Sequence, residues 1–187
     1  QLILLEAITN QYMMNYQKVK EAVPTLGEIK VVECNYSQYS SRYDAFKAGE
    51  ILPAFNPKFG GGALMDINIY NIHFVVGLLG APSSVKYLAN IEKDIDTSGI
   101  LILNYPNIKV VCIGAKDSTA TIRSTIQGTK GSVIVNGTTN VLDNFDLESK
   151  AGIENFDFKQ NSHRMCEEFK VFQRIIAEKD LKEAALR

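Results

Sequence analysis

Tryptophan is absent from the chain, and only two histidines and three cysteines occur among its 187 residues. The cysteines, Cys34, Cys112 and Cys166, are odd in number, far apart and without a C-x-x-C pair. They therefore give no disulfide framework or zinc knuckle, and they indicate a reducing compartment. His73 and His163 are too few for a typical metal centre, so we expect no bound metal.

The chain also lacks a marked excess of charge of either sign. Lys and Arg number 20 against 21 Asp and Glu, and no run of one sign occurs. The charge therefore gives no reason to expect a nucleic acid or an anionic membrane as a partner. No apolar run approaches the roughly 20 residues of a membrane span, and the N-terminus lacks the basic region of a secretory signal. These features predict a cytoplasmic protein.

The composition is that of a globular domain, with 45% hydrophobic and 22% charged residues. Residues 1–187 are enough for one domain with a substantial core. The chain opens on the apolar run QLILLEA, without an initiator Met or a leading turn. We therefore expect residues 1–7 to be the end of a buried strand, and the chain to be a fragment.

The order of predicted elements indicates an α+β (α/β two-layer) fold, with helices on one face of a large, open, mostly antiparallel sheet. Neither a βαβ alternation nor G-x-G-x-x-G is present. The predicted helices are residues 10–22, 60–80 and a last one that begins near Asn161 or Ser162 and has Met165, Phe169, Phe172 and Ile176 on one stripe. The predicted strands are EIKVVECNYSQY, SVKYLANIE, GILILNY, IKVVCIGA, STATIRSTIQ, SVIV, TNVL and IENFDF.

Residues 41–59 have no clear period and contain two prolines, which predicts a long surface loop. Loops of this length in compact domains tend to be functional. Arg42 and Tyr43 in this loop are candidates for holding a polar substrate, although a solvated loop is the commoner explanation.

One helix face is unusual for a mostly apolar helix. Gly62, Asp66, Tyr70, His73 and Gly77 are spaced by four, four, three and four, which places them within a band about 80° wide. Three buried polar groups need hydrogen-bond partners or a cleft. A carboxylate beside a phenol or imidazole suits proton transfer at a substrate hydroxyl or carbonyl. The alternative is structural: Asp66 would hold backbone amides, and Tyr70 and His73 would be satisfied core residues.

The stretch GGGALMDINIYNIH, residues 60–73, resembles the signature Gly-Gly-Gly-x-Leu-x-Asp-x-Gly-x-[His/Tyr]-x-x-[Asp/His/Asn]. This signature belongs to oxidoreductases related to glucose-fructose oxidoreductase, inositol dehydrogenase and dihydrodiol dehydrogenase. Nearly the whole chain is similar to this family, through LLEAITNQYMMNY, LGEIKVVECNYS, IQGTKGSVIVNG and SHRMCEEFKVFQRII.

The resemblance implies a domain arrangement. Members of the family have an N-terminal Rossmann domain that binds NAD or NADP, and a C-terminal domain that binds substrate and often forms the oligomer contact. The chain resembles the C-terminal domain alone, with residues 1–7 as the last strand of the nucleotide-binding domain. The isolated domain is then expected to be inactive, and a homo-oligomer through the sheet is expected.

The resemblance also implies residue roles. Asp66 matches the motif carboxylate, Tyr70 the acid-base position and His73 a variable active-site position. Gly61 and Gly62 would lie on the cofactor side. Gln11 stands at a substrate-binding position where many relatives have Arg, and Asn68 stands where the signature has Gly.

The expected chemistry is hydride transfer between a sugar-like or polyol carbon and NAD or NADP. Some relatives keep the fold without turnover, so the alternative is a non-catalytic sugar-binding or oligomerisation module.

Overall fold

The computed structural model describes residues 2–185, and one eight-stranded sheet forms its centre. The strand order is β2-β3-β4-β1-β5-β6-β7-β8. β1 pairs with β4 in parallel, and the other neighbouring pairs are antiparallel. The predicted mostly antiparallel sheet is confirmed. The strands are β1 Ile29–Ser37, β2 Ser84–Glu92, β3 Ile95–Asn104, β4 Lys109–Ala115, β5 Arg123–Gly128, β6 Gly131–Asn136, β7 Asn144–Ser149 and β8 Gly152–Phe156.

The helices form a second layer on one face of the sheet. They are α1 Met14–Ala22, α2 Tyr43–Lys47, α3 Ile69–Leu79, α4 Cys166–Glu178 and α5 Leu181–Ala184. A π-helical turn, Leu64–Asn68, leads directly into α3. Short 3-10 turns occupy Thr9–Tyr12, Val23–Leu26, Pro53–Phe55 and Pro57–Phe59.

The core lies between the two layers because successive strand residues point to opposite faces. Cys34 of β1 is opposite Cys112 of β4 and Ser124 of β5, and all three side chains are buried. Tyr16 of α1 and Phe74 of α3 pack against each other above this row, with ring centroids 5.4 Å apart. The other face has half-exposed apolar side chains, including Val31, Leu88 and Ile100.

The segment 41–59 is not the unstructured surface loop that its lack of period predicts. It contains α2 and two 3-10 turns, and Phe46 and Phe55 are almost fully buried. Their rings stack with centroids 4.7 Å apart and, with Ile95, form a second small apolar cluster. Two aromatic side chains thus fold the segment onto the edge of the sheet.

Two strand predictions were wrong. The residues TNVL form a turn at 139–142 rather than a strand, and the strand lies just beyond it as β7. The run STATIRSTIQ becomes a strand only from Arg123. In the turn, the backbone N–H of Leu142 donates to Thr138 O at 3.0 Å, a pattern that apolar residues alone do not signal.

The two ends of the chain also differ from prediction. The last long helix begins at Cys166, and neither Asn161 nor Ser162 caps it. Phe169 and Ile176 of its predicted apolar stripe are 58% and 57% exposed. Residues 2–8 have no regular structure, and Gln1 lies outside the described residues. The origin of residues 1–7 in a preceding domain stays a prediction.

By length and composition alone, the stretch Pro57–Leu79 is long and apolar enough to span a membrane. The sequence analysis predicted no membrane span. The backbone argues against that role. The stretch includes a 3-10 turn, four glycines and a π turn, and its regular α-helix of 11 residues is only about 16 Å long. A bilayer core is about 30 Å thick. Asn68 and Asn71, both fully buried, anchor it to the sheet.

Candidate functional site

The candidate site lies where the parallel strands β1 and β4 end. Tyr36 is near the end of β1, and Lys116 directly follows β4. Beyond the strands the pairing continues, because the backbone N–H of Gln38 donates to Ala115 O at 2.9 Å and that of Ser40 to Lys116 O at 2.8 Å. The carboxyl ends of parallel strands are a common place for ligand binding.

A glycine turn brings the π turn to this edge. Gly62 has a φ of +100°, and a Cβ there would lie 2.1 Å from Asp96 Oδ1 of β3. Asp96 Oδ2 accepts hydrogen bonds from the backbone N–H of Leu64 and from the Tyr87 hydroxyl, both at 2.6 Å. The carboxylate that holds backbone amide at the helix start is therefore Asp96, and Asp66 is free for another role.

Asp66 forms an ion pair with Lys116. The distance from Lys116 Nζ to Asp66 Oδ2 is 2.5 Å. Only 3% of the Lys116 side chain is exposed, whereas 43% of the Asp66 side chain is exposed. Lys116 Nζ also donates to the carbonyl oxygen of Ala54 and lies 4.4 Å from the centroid of the Phe55 ring.

Asp66 and Tyr70 line one polar cavity of about 360 Å³. The predicted pairing of a carboxylate and a phenol at one site is therefore present in the structure. The other lining residues are Tyr36, Gln38, Tyr39, Ser40, Ser41, Arg42, Ile67, Lys116 and Asn140. A cavity with hydroxyl, amide and charged groups suits a small polar ligand.

The back of the cavity is made by residues that are distant in sequence. Asn140 Nδ2 donates to the Tyr36 hydroxyl at 3.4 Å, and Arg164 Nη1 donates to Asn140 O at 3.0 Å. Burial raises the pKa of Tyr36 above its ordinary value, and the charges of Tyr70 and Asp66 act in the same direction. The Asn140 hydrogen bond and Arg164 oppose this shift. Tyr36 is therefore neutral, as a hydrogen-bonding phenol.

His73 and Gln11 do not line this cavity. His73 Nε2 lies 3.5 Å from Glu6 Oε1. Gln11 Nε2 donates to His73 O at 2.8 Å, close to where a Cβ on Gly77 would lie. Of the five positions on the predicted helix face, Asp66 and Tyr70 line the cavity, whereas Gly62, His73 and Gly77 have contacts elsewhere in the chain. A substrate role for Gln11 and a catalytic role for His73 stay predictions.

Arg42 and Tyr43 are neighbours in sequence, but their side chains lie in different surroundings. Arg42 lines the cavity, and its role in substrate binding stays a prediction. The Tyr43 hydroxyl donates to Glu92 Oε2 at 2.7 Å, outside the cavity. This hydrogen bond, with a smaller effect of burial, raises the pKa of Tyr43 to about 12.

Gly61 and Gly62 are explained by packing within the chain. A Cβ on Gly61 would lie 2.6 Å from Asn56 N and Pro53 O. A second cavity beside the first is lined by Gly61 and also by Arg42, Phe59, Gly60 and Asp66. Phe59 is 72% exposed, and nothing lies within 4 Å of a Cβ on Gly60. The space beside Asp66 is therefore open at Phe59 and Gly60, and a cofactor contact of Gly61 and Gly62 stays a prediction.

Several residues that line or support the cavity were not predicted as functional, among them Tyr36, Lys116, Asn140 and Arg164. Lys116 directly follows the apolar run IKVVCIGA, and the sequence alone does not show that its side chain is buried. Among residues 2–185, no group of three or more His, Cys, Asp or Glu side chains is placed to hold a metal ion.

Comparison with known proteins gives the family. The model of the GFO/IDH/MocA C-terminal domain matches residues 16–134. Scyllo-inositol 2-dehydrogenase (NADP(+)) IolU of Bacillus subtilis (strain 168) is 36% identical over 137 residues, which are 72% of this chain and 41% of that protein. The uncharacterized oxidoreductase YgjR of Escherichia coli (strain K12) is 35% identical over 136 residues, 72% of this chain and 42% of its own length. The chain thus spans about two fifths of these curated relatives.

Solved structures share the fold. Aldose-aldose oxidoreductase from Caulobacter crescentus, complexed with glycerol, matches 94% of this chain and 54% of its own with a TM-score of 0.78 and 16% identity. A 3-ketoreductase from Actinomadura kijaniata, in complex with NADP and TDP-benzene, matches 95% and 55% with a TM-score of 0.77 and 17% identity. The family match over residues 16–134, with the two curated relatives, shows that the chain belongs to the GFO/IDH/MocA family and contains its C-terminal domain.

Proposed function

We propose that this chain is the substrate-binding and proton-transfer domain of an NAD(P)-dependent oxidoreductase that acts on an inositol or a similar polyol. The observation that carries the proposal is the polar cavity in which Asp66 and Tyr70 meet. The similarity to a scyllo-inositol dehydrogenase that uses NADP supports the substrate class and the cofactor.

Each lining group has a role in this proposal. During reduction Tyr70 donates its hydroxyl proton to the substrate carbonyl oxygen as the hydride reaches the carbon; in the reverse direction the resulting phenolate takes the proton of the substrate hydroxyl. The carboxylate of Asp66 accepts a hydrogen bond from a neighbouring substrate hydroxyl and so fixes the ring. Tyr36, Asn140 and Arg42 provide further polar contacts, which suit a ligand with several hydroxyl groups.

Phe59 and Gly60, which line the second cavity, would hold the nicotinamide, and the bound cofactor would supply hydride-transfer chemistry there. The remainder of the cofactor would be held outside this chain, by a nucleotide-binding domain. Asp66 and Arg42 line both cavities, so they would stand between cofactor and substrate.

The test uses the full-length gene product with NADP⁺ and scyllo-inositol, and follows NADPH absorbance. We expect Tyr70→Phe to lower kcat by about 100-fold or more, because a positioned acid-base group contributes roughly 10²–10⁴-fold. The affinity for NADP, measured by fluorescence titration, should change little because most cofactor contacts lie elsewhere.

Tyr105→Phe is the matched control. It also removes a phenolic hydroxyl, but Tyr105 donates to Gly80 O at the far end of α3, away from the cavity. Its kcat should stay within a factor of two of wild type. Equal kcat for Tyr70→Phe and wild type would reject the role of Tyr70. A wild-type protein that binds scyllo-inositol without turnover would instead favour the non-catalytic sugar-binding module.

A further inference from the structure

Lys116 is a buried cation next to the proposed catalytic groups. Its side chain is 3% exposed, although lysine is among the residues that are least often buried. An ammonium group removed from water must be paired to remain charged. Such a residue is costly to the fold, so its place at the edge of the cavity calls for a specific role.

The contacts of Lys116 occupy its ammonium group. Nζ donates to Asp66 Oδ2 and to the carbonyl oxygen of Ala54, and the face of the Phe55 ring lies 4.4 Å away on a further side. Two of the three N–H donors of this lysine are used in these hydrogen bonds, and the Phe55 ring lies beside the ammonium group. The contact that links Lys116 to the proposed catalytic groups is its ion pair with Asp66.

The backbone of Lys116 is fixed on two sides. Its N–H donates to Thr97 O of β3 at 2.8 Å, and its carbonyl oxygen accepts from Ser40 N at 2.8 Å. Asp66, by contrast, lies in the π turn and is partly exposed to solvent. A rigid strand end thus holds one oxygen of a carboxylate whose own backbone has irregular geometry.

We infer that Lys116 is a positioning residue. By binding Oδ2 it fixes the Asp66 side chain so that Oδ1 points toward the ligand cavity, and it keeps the carboxylate from rotating away. This inference rests on the proposed function, in which Asp66 orients the substrate hydroxyls beside Tyr70. Misplacement of such a group by about 1 Å is enough to lower a rate by roughly 100-fold.

The test compares Lys116→Met, which keeps the aliphatic stem, with Lys116→Arg, which keeps the charge, in the full-length protein. We expect Lys116→Met to lower kcat for scyllo-inositol oxidation by about 100-fold with the NADP affinity within twofold of wild type. Lys116→Arg should recover at least a tenth of the wild-type kcat. Lys109→Met is the control, because Lys109 lies at the opposite end of β4 and donates to Tyr105 O.

Crystal structures of the wild-type protein and Lys116→Met provide a readout that is independent of activity. The Asp66 carboxylate should have one orientation in wild type and a different or divided one in the variant. An unchanged Asp66 orientation overturns the inference, and so does a kcat for Lys116→Met equal to wild type. A loss shared equally by Lys109→Met also overturns it, since it would reflect stability alone.

Failure of the proposed function gives a different pattern. The wild-type protein would then show no NADP-dependent oxidation of the polyol, whatever the state of residue 116. The two crystal structures would still decide whether Lys116 fixes Asp66.

Discussion

At the residue scale, two carboxylates near the start of the α3 region have different tasks. Asp96 accepts from the backbone N–H of Leu64 and from Tyr87, so it holds the turn in place. Asp66 pairs with Lys116 and opens toward the cavity. Because Asp96 satisfies the backbone, Asp66 is available for a ligand.

Because Gly62 has no side chain, the turn can pack closely against Asp96, and Asp66 can pair with Lys116 instead. We predict that Gly62→Ala destabilises the protein by about 2–4 kcal/mol, because a Cβ adds left-handed strain and overpacking. The φ of Gly62 is +100°, and its Cβ would lie 2.1 Å from Asp96 Oδ1. Urea unfolding followed by circular dichroism measures the change.

Gly60→Ala is the control for Gly62→Ala. Gly60 also has a positive φ, +68°, but nothing lies within 4 Å of its Cβ position. It should cost only the conformational strain, about 1–2 kcal/mol. Equal losses for the two variants would mean that Asp96 moves aside at little cost.

At the element scale, the α3 helix shows what local sequence predicts well. The expected helix from Gly60 to Gly80 is confirmed in its apolar part, Ile69–Leu79, and Asp66 and Tyr70 meet at a cavity. The π turn was not predicted. It depends on contacts with the sheet, since Asn68 Nδ2 donates to Cys112 O and Asn71 Nδ2 to Ile113 O.

Residues from distant segments account for the unpredicted part of the site. Lys116 is 50 positions from Asp66 in sequence, and Tyr36 is 104 positions from Asn140. Periodicity describes which side of one element is apolar, but it does not give the register between strands or the folding of a turn. The misplaced strand at TNVL has a related cause, because contacts with distant residues accompany its local turn: Thr139 Oγ1 donates to Asn71 Oδ1, and Asn15 Nδ2 donates to Leu142 O.

The start of α4 contains a further buried carboxyl group, Glu168. Its side chain is fully buried, Oε2 accepts from Thr9 Oγ1 at 3.2 Å, and Oε1 has no hydrogen-bond partner within the described residues. Burial raises the pKa of Glu168, while the Thr9 hydrogen bond and the charge of Arg164 oppose the shift. The folded state therefore holds the proton more tightly than the unfolded state.

A raised pKa fixes the sign of the pH dependence. The contribution of Glu168 to stability is fully present below its unfolded pKa of about 4.5 and is lost as the pH rises through the folded value. We predict that Glu168→Gln becomes more stable relative to wild type as the pH rises from about 4 to 7, since Gln stays neutral. Thermal unfolding across this range measures the difference.

Glu154→Gln is the matched control for Glu168→Gln. Glu154 lies exposed on β8, so its substitution should give a difference from wild type that does not grow with pH. A constant difference for both variants would contradict the raised pKa of Glu168 in the folded protein.

At the scale of the whole molecule, the open face of the sheet is the main unexplained surface. Helices cover the other face, while this one presents a row in which Leu88, Ile100 and Ile113 are directly opposite one another on neighbouring strands. Leu88 and Ile100 are 48% and 41% exposed. A contiguous apolar surface of this kind is typical of a protein-protein interface.

We predict that this face pairs with a second copy of the chain. An antiparallel sheet with one uncovered apolar face gains by burying it, and two-fold dimers are the commonest closed assembly. Light scattering should then give about twice the 20.8 kDa of the chain. Ile100→Asp should shift the protein to monomers, because it places a charge at the centre of the buried surface.

Ile176→Asp separates this effect from a general effect of surface charge. Ile176 of α4 is 57% exposed, but it belongs to the helical layer. A dimer through the sheet survives that change, whereas a dimer through α4 does not. A wild-type protein that stays monomeric at high concentration contradicts the sheet interface. In that case Ile100→Asp should leave the protein monomeric, as the wild type is.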